Sequence, residues 1–311
     1  MTVKVASDWL NSCSGCEVAI VDLGERLLTL LELVEFVHIP VLMDHKYYGQ
    51  LGEQKELSIP EADVGIISGG IRNAEHLEVA IEMREKCKYI VALGSCATHG
   101  GIPALSNTYG NDDILERYYS TMTTDQVEER PKEGIPPLLE GSYALDEHIK
   151  VDIFLPGCPP HPDQVFEALV ALLEGRAPNL LDSSVCDTCP AVRKGKGEVK
   201  KLKRFLTAPE VKDYANPLVD FRCLLEQGIL CMGPVTKAGC GGDQVHPRCI
   251  SALVPCRGCN GPVKQDGNQM LDMLNALASN GIELGSLPEV TSLQRFSGAH
   301  CMLRQPKGGN P

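Results

Sequence analysis

The first half of the chain alternates short apolar runs with segments of helical periodicity. The apolar runs, each the length of a buried strand, cover residues 3–6, 34–39, 63–70, 89–93 and 151–155. Apolar residues at helical spacing lie between them at 20–31, at 77–84 and in a segment that begins at Pro162 and ends at Gly175. Because continuously apolar strands alternate with helices, the pattern predicts an α/β domain, an open parallel sheet with helices on both faces.

This alternation stops near residue 178. Residues 179–267 show neither helix nor strand periodicity and are rich in glycine, proline and cysteine, and one short amphipathic helix is expected over 270–277. Such a segment buries too little apolar area to fold unaided, so an inorganic core is expected to stabilise it. The chain therefore divides into an α/β domain, residues 1–178, and an irregular, cysteine-rich domain, residues 179–311.

The polar segment 107–148 interrupts the first domain. It is longer than an ordinary connection between a helix and a strand, which predicts an insertion at the edge where the strands end. Such an insertion is either a contact with a partner protein or a solvated loop.

Composition narrows the classes of function. The 311 residues carry 29 Lys and Arg against 41 Asp and Glu, a net charge of −12, and only 5% of them are aromatic. This balance argues against nucleic-acid binding, which needs a basic surface and often aromatic side chains that stack on bases. No apolar run is long enough to cross a membrane, and the N-terminus lacks an export signal, so a cytoplasmic location is expected.

Fourteen cysteines are the unusual feature of the chain. With a sizeable core and no export signal, clustered cysteines are more typical of metal binding or redox chemistry than of disulfides. Cys13 and Cys16 follow the first predicted strand, and Cys96 and Cys158 follow two later ones. Since parallel strands end at one edge of a sheet, these thiols are expected to converge there around a [4Fe–4S] cluster or a zinc ion. A thioredoxin-like dithiol would leave Cys96 and Cys158 unexplained.

The second domain holds enough further thiols for two sets of four, namely Cys186, Cys189, Cys223, Cys231, Cys240, Cys249, Cys256 and Cys259. Their spacing does not match the bacterial ferredoxin run, so only their order suggests a grouping. Zinc ribbons use paired Cys-x-x-Cys knuckles, whereas half of these cysteines are single, which favours two cubane clusters. The remaining Cys87, late in a predicted helix, and Cys301, near the C-terminus, are expected to be inert thiols.

Three segments carry a resemblance to a known family. Cys13-Ser-Gly-Cys16-Glu17, Gly94-Ser-Cys96-Ala-Thr-His-Gly-Gly and Leu155-Pro-Gly-Cys158-Pro-Pro resemble the small subunit of [NiFe] hydrogenases, and the resemblance covers roughly residues 1–265. Relatives in complex I share the first-half pattern more loosely. The resemblance implies a flavodoxin-like first domain that holds a proximal [4Fe–4S] cluster through Cys13, Cys16, Cys96 and Cys158, followed by a cluster-rich second domain.

The resemblance also assigns the later cysteines. It implies a distal cluster on Cys186, Cys189, Cys223 and Cys231, and a medial cluster on Cys240, Cys256 and Cys259. Many family members have a histidine where this chain has Cys186, and a proline in place of the fourth medial ligand, where Cys249 is available here. Cys249 favours a medial [4Fe–4S] cluster, which makes three [4Fe–4S] clusters. Both departures add negative charge, so both are expected to lower the reduction potentials.

The resemblance implies a partnership. The chain would pass electrons between the nickel–iron site of a large subunit and a downstream iron–sulfur or flavin acceptor subunit. Low potentials favour a ferredoxin, a flavin or a heterodisulfide reductase complex as acceptor. The chain is most similar to the cytoplasmic, methyl-viologen (non-F420-reducing) branch. The alternatives are an F420- or NAD(P)-reducing small subunit, a complex-I-like subunit without a hydrogenase partner, a zinc-stabilised scaffold and a flavodoxin-like FMN carrier.

Charged and titratable side chains lie beside the proposed ligands. Glu17 either takes part in proton transfer at the interface with the large subunit or caps the helix that follows it. His99, His161 and His246 are expected to hydrogen-bond backbone groups or to relay protons. The basic run 193–204, in an otherwise acidic chain, is either a solvated loop or a docking patch for an acidic electron acceptor.

Overall fold

The computed structural model describes residues 2–122, 131, 133–195, 199–208, 221–244, 246–287 and 290–300. In these ranges no helix is both long and apolar enough to span a lipid bilayer. Cys301 and residues 196–198 of the basic run lie outside the described residues. The inertness of the Cys301 thiol therefore stays a prediction.

The strands are β1 (Val3–Trp9), β2 (Val34–His38), β3 (Ala62–Ser68), β4 (Ile71–Asn73), β5 (Cys87–Leu93), β6 (Leu138–Tyr143) and β7 (Ile153–Leu155). Five of them form one parallel sheet in the order β2-β1-β3-β5-β7, which confirms the five strands expected from the apolar runs. This is the strand order of flavodoxin-like folds, and it reverses between β1 and β3. Such sheets bind ligands beyond the carboxyl ends of their strands at the point of reversal.

The described helices are α1 (Gly15–Val21), α2 (Glu25–Leu31), α3 (Ala74–Lys86), α4 (Gly94–His99), α5 (Asn111–Tyr119), α6 (Pro162–Leu173), α7 (Arg248–Ser251) and α8 (Gln269–Ser279). The apolar periodicity over 20–31 predicts one helix, but the structure has two. Gly24 at the junction adopts a φ of +60°, a conformation that ends one helix and lets the chain start another.

Two apolar clusters cover the two faces of the parallel sheet. Ile66 and Ile67 are neighbours in β3, yet Ile66 packs with Ile20 and Leu93, whereas Ile67 packs with Met83. Successive side chains of a strand point to opposite faces, so both faces of β3 are buried under helices. The α/β architecture expected from the sequence is confirmed.

The insertion at 107–148 has more structure than a polar loop. It contributes α5 and also β6, which pairs antiparallel with β4. The Arg72 guanidinium joins the two parts, because it donates to the Leu139 carbonyl and to Asn111 Oδ1, both at 2.5 Å. The insertion is therefore tied to the chain that leaves β3, and its role as a partner contact stays a prediction.

Cys87 corrects a detail of the sequence analysis. It does not lie late in a helix but is the first residue of β5, directly after α3. The side chain is 4% exposed, and burial raises the pKa of its thiol to about 11. A neutral, buried thiol agrees with the inert role that was expected.

Beyond residue 180 the chain is irregular, as the loss of periodicity predicts. Between α6 and α8 the described residues hold 3₁₀ turns and the single short helix α7. The expected amphipathic helix is present as α8, and its buried Met273 and Leu277 pack with Cys231 and Cys256. Cysteines thus form part of the interior here. The domain boundary at 178/179 stays a prediction.

Candidate metal centres

Four cysteines meet at the carboxyl edge of the sheet. The β1–α1 loop and α1 supply Cys13 and Cys16, α4 supplies Cys96 after β5, and the turn after β7 supplies Cys158. Burial, together with the nearby Cys158 and Cys13, raises the pKa of Cys96 to about 12. Burial and then the charges of Glu17 and the other three thiols raise the pKa of Cys16 well above its ordinary value. We call these four cysteines the proximal set; the structure brings them together as the strand order predicts.

Glycines leave space around the proximal sulfurs. A β-carbon at Gly94 would overlap Cys16 Sγ, and one at Gly101 would lie 2.6 Å from Cys96 Sγ. Both glycines adopt positive φ, +84° and +55°, which side chains rarely tolerate. At these two glycines the backbone therefore approaches the thiols closely, and no side chain occupies the space beside the two sulfurs.

Glu17 lies inside this edge. Its side chain is 3% exposed and accepts a hydrogen bond from the Ser68 hydroxyl at the end of β3. Among the described residues, its second oxygen, Oε2, has no hydrogen-bond partner. The carboxylate thus bonds to a neighbouring strand end, and no amide of α1 is found bonded to it in the part of the chain that is described.

A buried polar network beside this edge escaped the sequence analysis. Asp8 in β1 is 1% exposed, and its Oδ2 lies 3.0 Å from His38 Nε2. The Tyr47 hydroxyl donates to both Asp8 oxygens at 2.8 and 2.9 Å. Burial, followed by the charge of Asp8, raises the pKa of Tyr47 above its ordinary value. The network fixes the loop after β2 to the end of β1.

A second set of thiols lines one cavity of about 320 Å³, and its members are Cys186, Cys189, Cys223 and Cys231. We call these the distal set. Burial raises the pKa of Cys231 to about 12 and that of Cys186 to about 11, and neighbouring thiols of the set add to both increases.

The remaining thiols, Cys240, Cys249, Cys256 and Cys259, form the medial set. Burial raises the pKa of Cys259 to about 12, and Cys249 and Cys240 add to the increase. Burial also raises the pKa of Cys256, with Cys231, Cys249 and Cys259 contributing. In the described part of the chain, no three His, Cys, Asp or Glu side chains converge tightly enough to hold one ion.

The three sets follow one another in space. The hydroxyl of Ser95, which precedes Cys96 of the proximal set, donates to the carbonyl of Cys259 in the medial set. The N–H of Met232, which follows Cys231 of the distal set, donates to the carbonyl of Cys256 in the medial set at 2.9 Å. Burial raises the pKa of Cys259 and of Cys231, and the backbones of Cys158 and Cys256, respectively, oppose that increase. The medial set therefore lies between the other two.

The three histidines singled out in the sequence make local contacts. His99 is buried, its Nδ1 lies 2.8 Å from Thr98 Oγ1, and burial followed by the charge of His300 lowers its pKa to about 3. His161 caps α6, because its Nδ1 accepts from the Asp163 amide. His246 Nδ1 lies 3.5 Å from the Thr188 carbonyl. His161 and His246 thus bond to backbone groups, as expected, whereas His99 bonds to a side-chain hydroxyl.

Known proteins place the chain in a family. Residues 13–172 match the family model described as NADH ubiquinone oxidoreductase, 20 Kd subunit. A vhu subunit of the F420-non-reducing hydrogenase from Methanocaldococcus jannaschii is 38% identical over 299 residues, which are 96% of this chain and 95% of that relative. The chain belongs to the family of [NiFe] hydrogenase small subunits.

Solved structures agree with this family. A chain of an NAD+-reducing [NiFe] hydrogenase in the H2-reduced state is 31% identical, with a TM-score of 0.51, and covers 58% of this chain and 95% of its own length. A [NiFeSe] hydrogenase chain of Dm. baculatum, 20% identical with a TM-score of 0.52, shares the fold over 84% of this chain and 95% of its own length. As a hydrogenase small subunit, the chain is part of an oxidoreductase. The family is one of iron–sulfur proteins, and the partner of a small subunit is a large subunit.

Proposed function

We propose that the chain carries electrons through three [4Fe–4S] clusters between a nickel–iron large subunit and a low-potential acceptor, as in the non-F420-reducing hydrogenases. One observation carries the proposal: four thiols lie together at the sheet edge, four others line the distal cavity, and the remaining four of the second domain lie between them. The clusters, when bound, would supply one-electron transfer without proton exchange. The resemblance in sequence and the hydrogenase relatives support the same function.

The thiols present fit iron–sulfur clusters. Burial raises the pKa of thiols in all three sets, so without a bound cation these side chains are neutral. Cationic iron would ionise them, which is how metal binding stabilises a cysteine-rich fold.

The large subunit is proposed to cover the carboxyl edge of the sheet. Cys13 and Cys158 are exposed there. Connections that leave strand ends at this edge also present large apolar side chains to solvent, including Leu42, Leu51 and Ile102 at 51%, 93% and 43% exposure. Exposed apolar surface of this kind is typical of a protein–protein interface. Docking at this edge would bring the proximal set closest to the partner.

Glu17 is proposed to exchange protons with that interface. The carboxyl group lies directly beside Cys16, and one of its oxygens lacks a partner among the described residues. A carboxyl group with a vacant oxygen is able to accept a proton from a neighbouring group and to pass it on. The Ser68 hydroxyl holds the other oxygen and fixes the orientation of the side chain.

The acceptor is proposed to dock near the distal set. Arg193 borders the distal cavity and donates to the Cys186 carbonyl at 3.2 Å. Exposed Lys200, Lys201 and Arg204 continue the basic surface. Complementary charge speeds association with an acidic partner. Thiolates in place of histidine and proline at 186 and 249 would keep the potentials low enough for a ferredoxin, a flavin or a heterodisulfide reductase complex.

Metal and sulfide analysis of the anaerobically purified complex tests the proposal. Three four-iron clusters require about 12 iron and about 12 acid-labile sulfide per chain, with nickel on the copurified partner. About 4 iron with about 2 zinc would show that the second domain does not carry electrons. Twelve iron without a nickel-containing partner would instead favour a complex-I-like subunit.

A further inference from the structure

Ser95 lies at the junction between the proximal and medial sets. It is 1% exposed and stands in the first turn of α4, one residue before Cys96. Its backbone N–H donates to the Gly157 carbonyl at 2.8 Å, and its hydroxyl accepts from the Gly157 N–H at 3.1 Å. The hydroxyl also donates to the Cys259 carbonyl. One side chain therefore ties both late proximal loops, those of Cys96 and Cys158, to a medial cysteine.

The hydrogen bonds of the Ser95 hydroxyl link the proximal set to the medial set. Gly157 precedes the proximal Cys158, and Cys259 belongs to the medial set. The Ser95 hydroxyl is hydrogen-bonded to the main chain on both sides, to the Gly157 N–H and to the Cys259 carbonyl. A shift of either loop would therefore have to break a buried hydrogen bond of Ser95 before it changed the separation of the two sets.

The second junction uses the same scheme without a side chain. The N–H of Met232, next to Cys231, donates to the Cys256 carbonyl at 2.9 Å. At each junction, a residue next to a cysteine of the neighbouring set thus donates a hydrogen bond to the carbonyl of a medial cysteine. Only at the first junction does a side-chain hydroxyl make the carbonyl bond, so this junction is accessible to substitution.

We propose that Ser95 is a positioning residue for electron transfer between the proximal and medial clusters, because its hydroxyl joins the Gly157 amide, next to Cys158, to the Cys259 carbonyl. The inference rests on the proposed function. With both clusters bound, the step concerned would move one electron from the reduced proximal cluster to the oxidised medial cluster, with no bond made or broken. Hydrogen bonds to cluster sulfurs stabilise the more negative, reduced state. Backbone amides held close to a medial sulfur, such as that of Cys158, would therefore raise the medial potential.

The test compares variants of the whole anaerobic complex by redox titration followed by electron paramagnetic resonance. Ser95→Ala is expected to lower the medial midpoint potential and to slow reduction of the medial and distal clusters by H2, with the proximal potential unchanged. Ser95→Thr retains the hydroxyl and is expected to restore both properties. Thr98→Val is the matched control, since it removes another buried hydroxyl of α4, one that donates to Gly94 within that helix at 3.1 Å.

Each outcome decides the inference. A wild-type medial potential in Ser95→Ala would overturn it, and so would an equal fall in Thr98→Val, which would show a general loosening of α4. If Ser95→Ala loses about four irons, only from the medial cluster, and Ser95→Thr keeps them, the hydroxyl holds Cys259 as proposed. Loss of all three clusters would contradict a positioning role. Absence of a medial cluster from the unaltered complex would instead overturn the proposed function itself.

Discussion

Gly94 and Cys16 compete for one small volume, because a β-carbon at Gly94 would overlap the Cys16 sulfur. Gly94→Ala is therefore expected to displace the Cys16 thiol from the proximal set. The complex should lose about four of about twelve irons per chain, together with its H2-driven electron transfer. Iron and sulfide analysis of the anaerobic variant checks this.

A control substitution at a second glycine distinguishes the effect of a steric clash from that of backbone strain. Gly175, after α6, has a φ of +67°, but nothing lies within 4 Å of a β-carbon built there. Gly175→Ala meets the same backbone penalty, about 1 kcal/mol, without a clash. It should keep its iron and lose only a little stability. Equal iron in the two variants would show that Gly94 does not protect the proximal set.

Cys249 decides the type of the medial cluster. Cys249→Ala removes one of four proposed thiolate ligands and is expected to convert a [4Fe–4S] cluster to a [3Fe–4S] cluster, with loss of about one iron per chain. Electron paramagnetic resonance of the oxidised protein would show the new cluster. Cys87→Ala is the control: its buried thiol belongs to the α/β core, so stability should fall while the iron content stays the same. An unchanged spectrum in Cys249→Ala would remove Cys249 from the ligands.

The sequence allowed prediction of those features that follow from a repeating pattern of apolar residues. The apolar runs located all five strands of the parallel sheet, and the geometry of parallel strands brought Cys96 and Cys158 to the edge that carries Cys13. Both inferences depend on local pattern plus one rule about where parallel strands end. The break between α1 and α2 was missed because apolar spacing continues through Gly24, whose positive φ the spacing does not record.

Hydrogen bonds between polar side chains and residues far away in the sequence could not be predicted. Ser95 reaches Cys259, 164 residues away, and Asp8 reaches His38 and Tyr47 across a strand and a loop. A single serine or aspartate in an apolar segment leaves no periodic trace, so only the fold reveals its partners. In the second domain, only the family resemblance assigned the eight cysteines to a distal and a medial set, because no regular element positions most of them. That assignment stays a prediction.

His99 makes stability depend on pH. Its pKa in the fold is about 3, mainly through burial, whereas an unperturbed histidine has a pKa of about 6.5. The unfolded chain therefore binds this proton more readily, and the stabilisation is complete above about pH 6.5 and declines as the pH falls toward about 3. Anaerobic melting temperatures at pH 7.5 and 5.5 should differ less in His99→Gln than in the wild type. Identical differences would refute this role.

The Asp8 network should contribute measurably to stability. Asp8→Ala leaves the buried His38 and the Tyr47 hydroxyl without their shared acceptor, at a cost of about 1–3 kcal/mol for each group. Tyr47→Phe removes only the hydroxyl and should cost less. Anaerobic unfolding of the two variants gives the comparison, and the iron content should stay at the wild-type value. The reverse order of stability would show that the loop after β2 is held by other contacts.

The basic surface beside the distal set should govern the rate of acceptor docking. Lys200 and Lys201 are exposed in the same basic run as Arg193, which borders the distal cavity. Replacing both with Glu should therefore repel an acidic ferredoxin and lower kcat/KM for its reduction. The defect should shrink at high ionic strength, because salt screens exposed charges. Reduction of a small dye should stay at the wild-type rate. Lys86→Glu, at the opposite edge of the sheet, is the control. Equal slowing with ferredoxin and dye would place the defect in internal electron transfer and leave the basic run a solvated loop.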